Sequence, residues 1–485
     1  MIALHNGSRV SFQDVPVLPT PEFRSTVIEA VACGNRMTSF FGVSDGQDIR
    51  LLAILAQDAT GTLSIASTRV IGSYPSLTPD CSQAHWFERE IWEQTGVVPK
   101  GHPWLKPIRF TGSNAGIADF FRVEGAEVHE VAVGPVHAGV IEPGHFRFQC
   151  HGERVMHLEI ALGFQHRGIE RALVGGPNKR TVHYMETAAG DTTIGHAMAY
   201  AMNVDSLASA EPSARADVIR SIALELERMA NHTGDLGALA GDVGYLPTAS
   251  YCGRLRGDFL NLTALVCGSR FGRGLVRPGG VGFDIETGRG EQIAQRLSSA
   301  FRDVGRAVDL LWDSPSVMAR FDGTGGVSRE IGQALGLVGP AARACGIDRD
   351  VRKDHPSGMY RFAQIPTATG STGDVFARAQ VRWLEIQRSA SFVLARLKAV
   401  PEGDTRRPLG PLAPNSLAVS LVEGWRGEIC HVAITNKDGR FSAYKIVDPS
   451  FHNWMGLALA LREQQISDFP LCNKSFNLSY CGHDL

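Results

Sequence analysis

Residues 134–171 read GPVHAGVIEPGHFRFQCHGERVMHLEIALGFQHRGIER. Five histidines and four glutamates stand there among six glycines: His137, His145, His151, His157, His166, Glu142, Glu153, Glu159 and Glu170. Glycine lets backbone segments approach closely, and histidine titrates near neutral pH. The stretch therefore indicates a functional site more than a core strand, and the rest of the chain is interpreted outward from it.

Length and composition exclude several classes of protein. The chain has 485 residues, 44% of them hydrophobic and 20% charged, with a formal net charge of −2. This length favours two or more domains. The balanced charge argues against a nucleic-acid partner and against binding to an anionic membrane surface. We find no run of eighteen apolar residues and no signal peptide at the start, so we expect a cytosolic location.

The nine cysteines indicate reduced thiols. Their number is odd, they are spread over the whole chain, and no two stand at CxxC spacing. This argues against a disulfide framework, and against a zinc knuckle or an iron-sulfur cluster held by this chain alone. Imidazoles and carboxylates can bind zinc or iron, but no histidine pair shows the i, i+4 spacing of a helical metal site. We therefore expect no metal ligands in this chain.

The first part of the chain predicts a small α+β domain over residues 1–122. Strand-like patterns occupy residues 26–32, 39–43, 49–56 and 63–70. A short amphipathic helix is predicted within residues 84–110, closed by Gly96 and Pro99. Residues 111–125 are small and polar, which is typical of a linker.

The second part, residues 128–485, predicts a large, mainly helical domain with short peripheral strands. Apolar residues recur at helical spacing over residues 214–232, 291–313 and 374–398, and Asp374 is an expected N-cap. Short strands are expected near residues 146–160 and 428–448. The apolar residues within 467–485 predict that this tail docks on this chain or on a neighbouring subunit.

Several stretches carry a resemblance to a known family. Glu88-Arg89-Glu90 and residues 101–105 (GHPWL) resemble the 30-kilodalton-type subunit of respiratory complex I. The second domain resembles the 49-kilodalton-type subunit of complex I and the large subunit of nickel-iron hydrogenases, in particular the formate hydrogenlyase type. The matching stretches are residues 134–171, 215–235, 277–281, 339–343, 350–356 and 373–378.

The resemblance implies a metal site that this sequence does not complete. Hydrogenase large subunits hold nickel and iron with two CxxC pairs, because these metals require soft thiolate ligands. Ala189 and Thr192 stand where the first pair belongs, and Ser450 and Asn453 stand where the second belongs. We therefore expect no nickel-iron centre and no hydrogen production by that chemistry.

The resemblance also assigns roles to residues around the vacated site. Glu170 is a candidate for proton relay and Arg167 for its electrostatic partner, whereas on sequence alone the two would pair on a helix surface. Asp191 is a candidate proton acceptor with a shifted pKa, and it could also serve as N-cap of a helix over residues 192–203. Residues 477, 479 and 484 of the tail could refill part of the site.

Complex I implies a quinone, held by a histidine in the loop of residues 134–148 and by a tyrosine. His137 and His145 are both candidates, and the sequence leaves open which one applies. No tyrosine stands near Gly190, so we consider a shifted pocket that uses His145 with Asp191, next to Ser450.

Two functions follow from the resemblance. The first is the large subunit of a membrane-associated oxidoreductase, like NADH:quinone oxidoreductase or an energy-converting hydrogenase, that couples electron transfer to ion translocation. Its implied partners are a small subunit holding an iron-sulfur cluster, antiporter-like membrane subunits and membrane anchors, which would hold it at the cytoplasmic face of the membrane. The second is a structural or coupling subunit without redox chemistry.

Overall fold

The computed structural model describes residues 1–109, 119–137 and 141–485. The chain is an α+β protein, as predicted. Most of the predicted linker, and the tip of the loop of residues 134–148, lie outside the described residues.

The N-terminal part is built on an antiparallel four-stranded sheet in the order β1-β5-β4-β3. Two helices flank this sheet, and a short parallel pair, β6 and β7, closes the unit. The elements are β1 (Ile2–His5), β2 (Ser8–Ser11), α1 (Thr20–Ala32), β3 (Arg36–Asp45), β4 (Asp48–Gln57), β5 (Thr62–Val70), β6 (Ser73–Pro75), α2 (His85–Thr95) and β7 (Val98–Lys100).

The sequence prediction is right for three strands and one helix, and wrong for residues 26–32. These residues belong to α1, which has a proline at its first turn and buries Phe23 and Val27 against the sheet. The β-branched residues in this stretch suggested a strand, but packing on the sheet decides the helical conformation. Helix α2 ends as predicted at Gly96, whose φ of 75° is left-handed.

Two larger sheets, and a short antiparallel pair formed by β11 and β12, lie in the second part. The first has the order β10-β9-β8 and contains most of the histidine-rich stretch. The second has the order β15-β14-β13-β2, so strand β2 of the N-terminal part pairs with β13 across the predicted domain boundary. The strands are β8 (Val128–Val133), β9 (His145–His151), β10 (Arg154–Ala161), β11 (Val276–Arg277), β12 (Gly280–Val281), β13 (Ser416–Gly424), β14 (Gly427–Thr435) and β15 (Phe441–Val447). The division at residues 122–128 stays a prediction.

Long helices form the centre of the second part. All three predicted helices are confirmed, but the first continues to Asp242. The helices are α3 (Ile169–Leu173), α4 (Thr181–Met185), α5 (Thr193–Leu207), α6 (Ala214–Asp242), α7 (Leu246–Cys267), α8 (Thr287–Trp312), α9 (Pro315–Phe321), α10 (Arg329–Leu335), α11 (Gly339–Ala344), α12 (Val351–Asp354), α13 (Val375–Leu397), α14 (Pro449–Ala460), α15 (Phe469–Phe476) and α16 (Tyr480–Asp484). The Asp374 carboxylate accepts the Ala377 N–H as the expected cap. Within the described ranges, no helix has both the length and the apolarity to span a membrane.

A buried ionic cluster joins α6, α11, α13 and β13. The Arg343 guanidinium lies 2.7 Å from carboxylate oxygens of both Glu385 and Glu423. Arg228 and Arg352 share the Glu225 carboxylate at 3.0 and 3.1 Å. All of these side chains are almost completely buried, so each charge depends on its partners for solvation.

Replacing one cation of this cluster tests how strongly the helices depend on it. Arg343→Met leaves two buried carboxylates short of a partner, and we expect a loss of about 3–5 kcal/mol in the free energy of unfolding. Urea unfolding measures the loss. The control is Arg306→Met, which removes an exposed arginine 3.8 Å from Asp303 and should change stability by less than about 0.5 kcal/mol. If the two substitutions lowered the free energy of unfolding equally, the helices would not depend on the buried Arg343 cluster.

Candidate functional site

The centre of the candidate site is an ion pair between Asp191 and Arg426. Asp191 precedes α5, and Arg426 stands in the tight turn between β13 and β14. The guanidinium binds both carboxylate oxygens, with Nη1–Oδ1 at 2.5 Å and Nη2–Oδ2 at 2.8 Å. This two-point geometry is the strongest that arginine makes with a carboxylate. The pair therefore fixes the turn of the hairpin to the start of α5.

Trp425 and Thr192 hold the pair in place. The Arg426 guanidinium lies over the Trp425 ring, 3.9 Å from its centroid, which adds a cation–π contact. Trp425 Nε1 donates to the Asp191 backbone carbonyl and to Thr192 Oγ1, both at 3.1 Å. Thr192 Oγ1 also accepts from Arg426 Nη1 at 3.3 Å. The cation is thus enclosed by an aromatic face, a carboxylate and a hydroxyl.

Residues 477–485, here called the closing segment, cover this centre. The Asn477 carbonyl accepts from Arg426 Nε at 2.5 Å, and the Ser479 N–H donates to Ser450 Oγ at 2.8 Å. A Cβ on Gly482 would lie 2.7 Å from the Asp448 carboxyl group. The tail therefore docks on this chain, one of the two arrangements expected from its apolar residues.

The four positions that the sequence resemblance predicts to correspond to the metal ligands of hydrogenases offer no thiolate. Ala189, Thr192, Ser450 and Asn453 are all buried. Thr192 and Ser450 bind the groups described above, and the Asn453 side chain bonds both backbone groups of Val338, at 3.0 and 3.1 Å. Since these donors are hard or absent and a guanidinium lies beside them, the residues do not fit a nickel-iron centre. Among the described residues, no three His, Cys, Asp or Glu side chains are arranged to hold a metal ion.

The Asp191 carboxylate is ionised by its partner. Burial alone would raise the pKa of Asp191, but the Arg426 guanidinium outweighs burial and holds that pKa below its usual range. Asp191 is therefore a poor proton acceptor while Arg426 stays bound. The predicted role of Asp191 as helix N-cap is wrong, because the cap position belongs to Thr192 and no side chain caps it.

Glu227 instead accepts the free backbone N–H groups in the first turn of α5. Its carboxylate oxygens accept the N–H groups of Ile194 and Gly195 at 2.7 and 3.1 Å. Burial, together with the nearby Asp191 charge, raises the pKa of Glu227 to about 8, although the two amide donors oppose the shift. Glu227 is thus a buried carboxyl group with a raised pKa, beside the ion pair.

Arg167 lies beside the centre and does not pair with Glu170. Its guanidinium donates to the Thr187 and Ala188 carbonyls, both at 2.7 Å, and to the Cys481 carbonyl at 3.2 Å. The helix-surface pairing of Arg167 with Glu170, which the spacing alone favoured, is therefore not formed. Arg167 joins residues 187–188 to the closing segment.

Glu170 belongs to a second ionic cluster, formed with Lys445, Glu90 and Arg109. Lys445 Nζ lies 2.9 Å from Glu170 and 2.6 Å from Glu90, and Arg109 binds Glu90 closely. The Ile446 N–H also donates to Glu170, at 3.0 Å. Burial would raise the pKa of Glu170, but Lys445 and Arg109 lower it below its usual value. The cluster joins α2, α3 and β15, so it crosses from the N-terminal part to the second part.

A cleft of about 580 Å³ opens beside this second cluster. Its walls include Gln94, Arg109, Glu170, Lys445 and Leu485. The Leu485 carbonyl accepts the backbone N–H groups of residues 167 and 168, at 2.8 and 3.1 Å. The closing segment thus lies against both the Asp191–Arg426 pair and the Glu170 cluster. No contact of the described residues joins Glu170 to Asp191.

The described contacts of His137 and His145 are made with groups other than the ion pair. His145 opens β9, with Nδ1 3.0 Å from the Gly134 carbonyl and its ring 5.3 Å from that of Phe120. Arg147 donates to His145 Nε2 at 3.4 Å. His137 Nε2 is buried and finds no hydrogen-bond partner among the described residues. No described contact brings either histidine to Asp191 or Ser450.

A buried series of titratable groups leads inward from the centre. Asp448 Oδ2 lies 3.1 Å from His196 Nε2, and His196 Nδ1 lies 3.0 Å from His431 Nε2. His431 Nδ1 in turn lies 3.0 Å from the Tyr444 hydroxyl. Burial, and then the neighbouring His196, hold the pKa of His431 well below its usual value. The series is therefore a hydrogen-bonded connection in the interior in which His431 is neutral.

Sequence reasoning missed Arg426, Glu227 and Lys445. Glu227 and Lys445 stand in an ordinary helix and strand, Arg426 stands in the β13–β14 turn, and each meets its partner from a distant part of the chain. The one available signal was the Trp425-Arg426 pair between two glycines just before the predicted strand region of residues 428–448, which marks a tight hairpin turn.

Two family models match this chain. The model of the respiratory-chain NADH dehydrogenase 30-kilodalton subunit matches residues 27–114, and that of the 49-kilodalton subunit matches residues 242–411. The first range falls in the N-terminal part and the second in the helical part.

Several curated relatives are similar over most of the chain. The carbon monoxide-induced hydrogenase of Rhodospirillum rubrum is 31% identical over 352 residues, which is 72% of this chain and 97% of the relative. Formate hydrogenlyase subunit 5 of Escherichia coli is 28% identical, over 85% of this chain and 77% of the relative. NADH-quinone oxidoreductase subunit 4 of Thermus thermophilus is 28% identical, over 70% of this chain and 90% of the relative.

The ion pair at the centre predicts a pH-dependent contribution to stability. Because the folded pKa of Asp191 lies below its unfolded value of about 3.9, the contribution is present above about pH 4 and is lost as the pH falls through the folded pKa. We expect Asp191→Asn to lower the free energy of unfolding by about 1–3 kcal/mol at pH 7, and by progressively less under acid conditions. Denaturant unfolding over a pH series measures this. The control, Asp438→Asn at an exposed turn, should show little change, and a pH-independent loss for Asp191→Asn would refute the assignment.

Proposed function

Since the chain belongs to the family of complex I 49-kilodalton-type subunits and hydrogenase large subunits, we propose that it is the large subunit of a membrane-associated oxidoreductase complex. In this role it accepts and passes on protons beside a partner subunit that holds an iron-sulfur cluster. It thereby takes part in coupling electron transfer to ion translocation. The observation that carries the proposal is the Glu170–Lys445 pair in the wall of an open cleft.

Glu170 and Lys445 provide a place where a proton can be taken up and passed on. The two groups are 2.9 Å apart, and the Glu170 side chain is 16% exposed at the cleft. Its lowered pKa keeps Glu170 as a carboxylate at neutral pH, so it accepts a proton only when the charges of Lys445 and Arg109 are compensated elsewhere, for example during electron transfer in the complex. Arg167, the other residue that the resemblance assigned to this role, is bound to the carbonyls of Thr187, Ala188 and Cys481 and adds no support.

The surface beside the histidine-rich stretch supports docking of a partner subunit. Large apolar side chains are exposed there, including Val136, Ile141, Phe164 and Val174, and exposed apolar groups that cluster in one stretch are typical of interaction sites. We propose that an iron-sulfur subunit covers this surface, with antiporter-like and anchor subunits holding the assembly at the cytoplasmic face of the membrane. Relatives named as subunits of larger enzymes support such an assembly.

A quinone bound between His145 and Asp191 receives less support. His145 faces Phe120 and Arg147, whereas Asp191 is bound by Arg426 beneath the closing segment. We therefore favour the cleft at Glu170 as the place where an electron acceptor such as a quinone approaches. His137 stays a candidate, because its buried Nε2 has no partner among the described residues.

The second candidate function is a coupling subunit without redox chemistry of its own. The observation that favours it is the filling of the inherited metal position by Arg426 and by the closing segment. An ionic cluster that crosses between the two parts of the chain could then transmit a change of conformation instead of a proton.

Substitution of Glu170 in the intact complex separates these functions. If Glu170 relays protons, Glu170→Gln should lower the electron-transfer turnover by about 10²-fold or more, while the complex assembles normally. The matched control is Glu153→Gln, which changes an exposed glutamate of the same stretch and should leave turnover unchanged. Normal turnover of Glu170→Gln and of Asp191→Asn in a fully assembled complex would favour the coupling subunit.

Metal analysis tests the assignment of the vacated centre. Since the four positions offer no thiolate and a guanidinium stands beside them, we expect nickel far below one atom per chain in the purified complex, even after growth with added nickel. Elemental analysis by mass spectrometry gives the ratio. Stoichiometric nickel that stays bound to this chain through gel filtration would overturn the assignment.

A further inference from the structure

Three adjoining segments place exposed cations on one part of the surface, here called the basic surface. The segments are α3 with the α3–α4 loop, the α7–β11 loop and the β14–β15 turn. Arg440 Nη1 donates to the Pro177 carbonyl at 3.1 Å, which joins the β14–β15 turn to the α3–α4 loop. The Gly274 N–H donates to Glu186 Oε1 at 2.7 Å, which joins the α7–β11 loop to the end of α4. The exposed cations of these segments are Arg171, Lys179, Arg180, Arg273, Lys437 and Arg440.

Within the described ranges, none of these cations forms an ion pair. Other exposed arginines of the chain do meet a carboxylate, as Arg69 meets Asp45 at 2.7 Å and Arg254 meets Asp258 at 2.8 Å. The cations of the basic surface therefore keep their charge free for another molecule.

The carboxylates of the same segments do not balance these charges. Glu186 is buried and is bound by Arg277 at 2.7 Å. Asp438, in the β14–β15 turn, is exposed, and one carboxylate is too few for the cations around it. The basic surface is thus a local excess of positive charge on a chain whose formal net charge is −2, and such a surface attracts a partner of opposite charge.

The kinds of side chain favour a protein partner over a lipid surface. Four of the six cations are arginines, whose planar guanidinium binds a carboxylate at two points. Arginine is enriched at protein interfaces, whereas lysine is depleted there. Proteins that lie on a membrane surface insert large apolar groups such as Trp, Phe and Leu. Among the described residues of the three segments, Val174 is the one large apolar side chain that is well exposed, at 53%.

We propose that the basic surface docks an acidic segment of a neighbouring protein subunit. The carboxylates of that segment bind the arginines, and Val174 adds an apolar contact. This inference rests on the proposed function in one respect, that the chain belongs to a complex. It does not depend on proton transfer at Glu170.

Titration of the full chain with fluorescently labelled octaglutamate tests the surface, with fluorescence anisotropy as the measurement. We expect binding that weakens as the salt concentration rises from about 0.1 to about 1 M, because the Debye length falls from about 10 to about 3 Å. The triple variant Lys179→Glu, Arg180→Glu, Lys437→Glu should bind the peptide about tenfold more weakly or worse. The side chains of these three residues make no hydrogen bond or ion pair among the described residues, so the variant should unfold at the wild-type temperature.

The matched control changes the same number of charges elsewhere. Arg296→Glu, Arg302→Glu, Lys398→Glu replaces three exposed cations on or next to α8 and α13. It should bind octaglutamate within about twofold of the wild type, because the net charge changes equally while the basic surface stays intact.

Vesicles separate a protein partner from a membrane. The chain should stay in the supernatant when it is sedimented with phosphatidylcholine vesicles that contain about 30% phosphatidylglycerol. Three results would overturn the proposal: no binding of octaglutamate to the wild type at about 1 mM peptide, equal affinity of the wild type and the Lys179 triple variant, or binding to the vesicles that this variant loses.

Cross-linking of the purified complex tests the same surface in its assembled state. A carbodiimide joins a lysine amine to a carboxylate in direct contact with it, so Lys179 or Lys437 should be found by mass spectrometry linked to an Asp or Glu of another subunit. Lys398 should give no such link. A complex that shows no link at Lys179 or Lys437 would overturn this inference alone, whereas a chain that purifies without partner subunits would overturn the proposed function.

Discussion

The enclosed Arg426 cation sets the arrangement of everything around it. A buried guanidinium is tolerated only where a carboxylate and further acceptors replace its water, and here they come from two distant parts of the chain: Asp191 with Thr192, and the Asn477 carbonyl. The β13–β14 turn must therefore meet the start of α5 and the closing segment at one point. Gly339 shows how tight this meeting is, because a Cβ there would lie 2.1 Å from the Arg426 carbonyl oxygen.

The two carboxylates that the family resemblance places together are separated in this fold. Asp191 has one cation for itself, whereas Glu170 shares Lys445 with Glu90 at the boundary between the two parts of the chain. A carboxylate held by its own arginine is fixed in charge, while one that shares a lysine can respond when the shared proton or charge moves. The environments thus differ in kind, which is the physical basis on which we propose Glu170, and not Asp191, as the proton-exchanging group.

Much of the architecture followed from local patterns, and the site did not. Helices α8 and α13 were predictable because their apolar residues recur every three to four positions and Asp374 caps α13. Helix α1 was misread because residues 26–32 look like a strand when their packing on the sheet is unknown. Arg426, Glu227 and Lys445 act on partners that lie between 32 and 355 residues away, and no single sequence pattern records such contacts.

The chemistry of the vacated centre follows from its charges. Four thiolates carry negative charges that a bound metal ion balances. A site that lost the thiolates would therefore need a different balance of charges. Here neutral side chains stand at the four ligand positions, and one guanidinium is balanced by one carboxylate. The Trp425 face and the closing segment then exclude the space that a metal and its ligands would use. The polar groups of this centre are thus satisfied by the chain's own side chains, whereas the Glu170 cluster borders an open cleft.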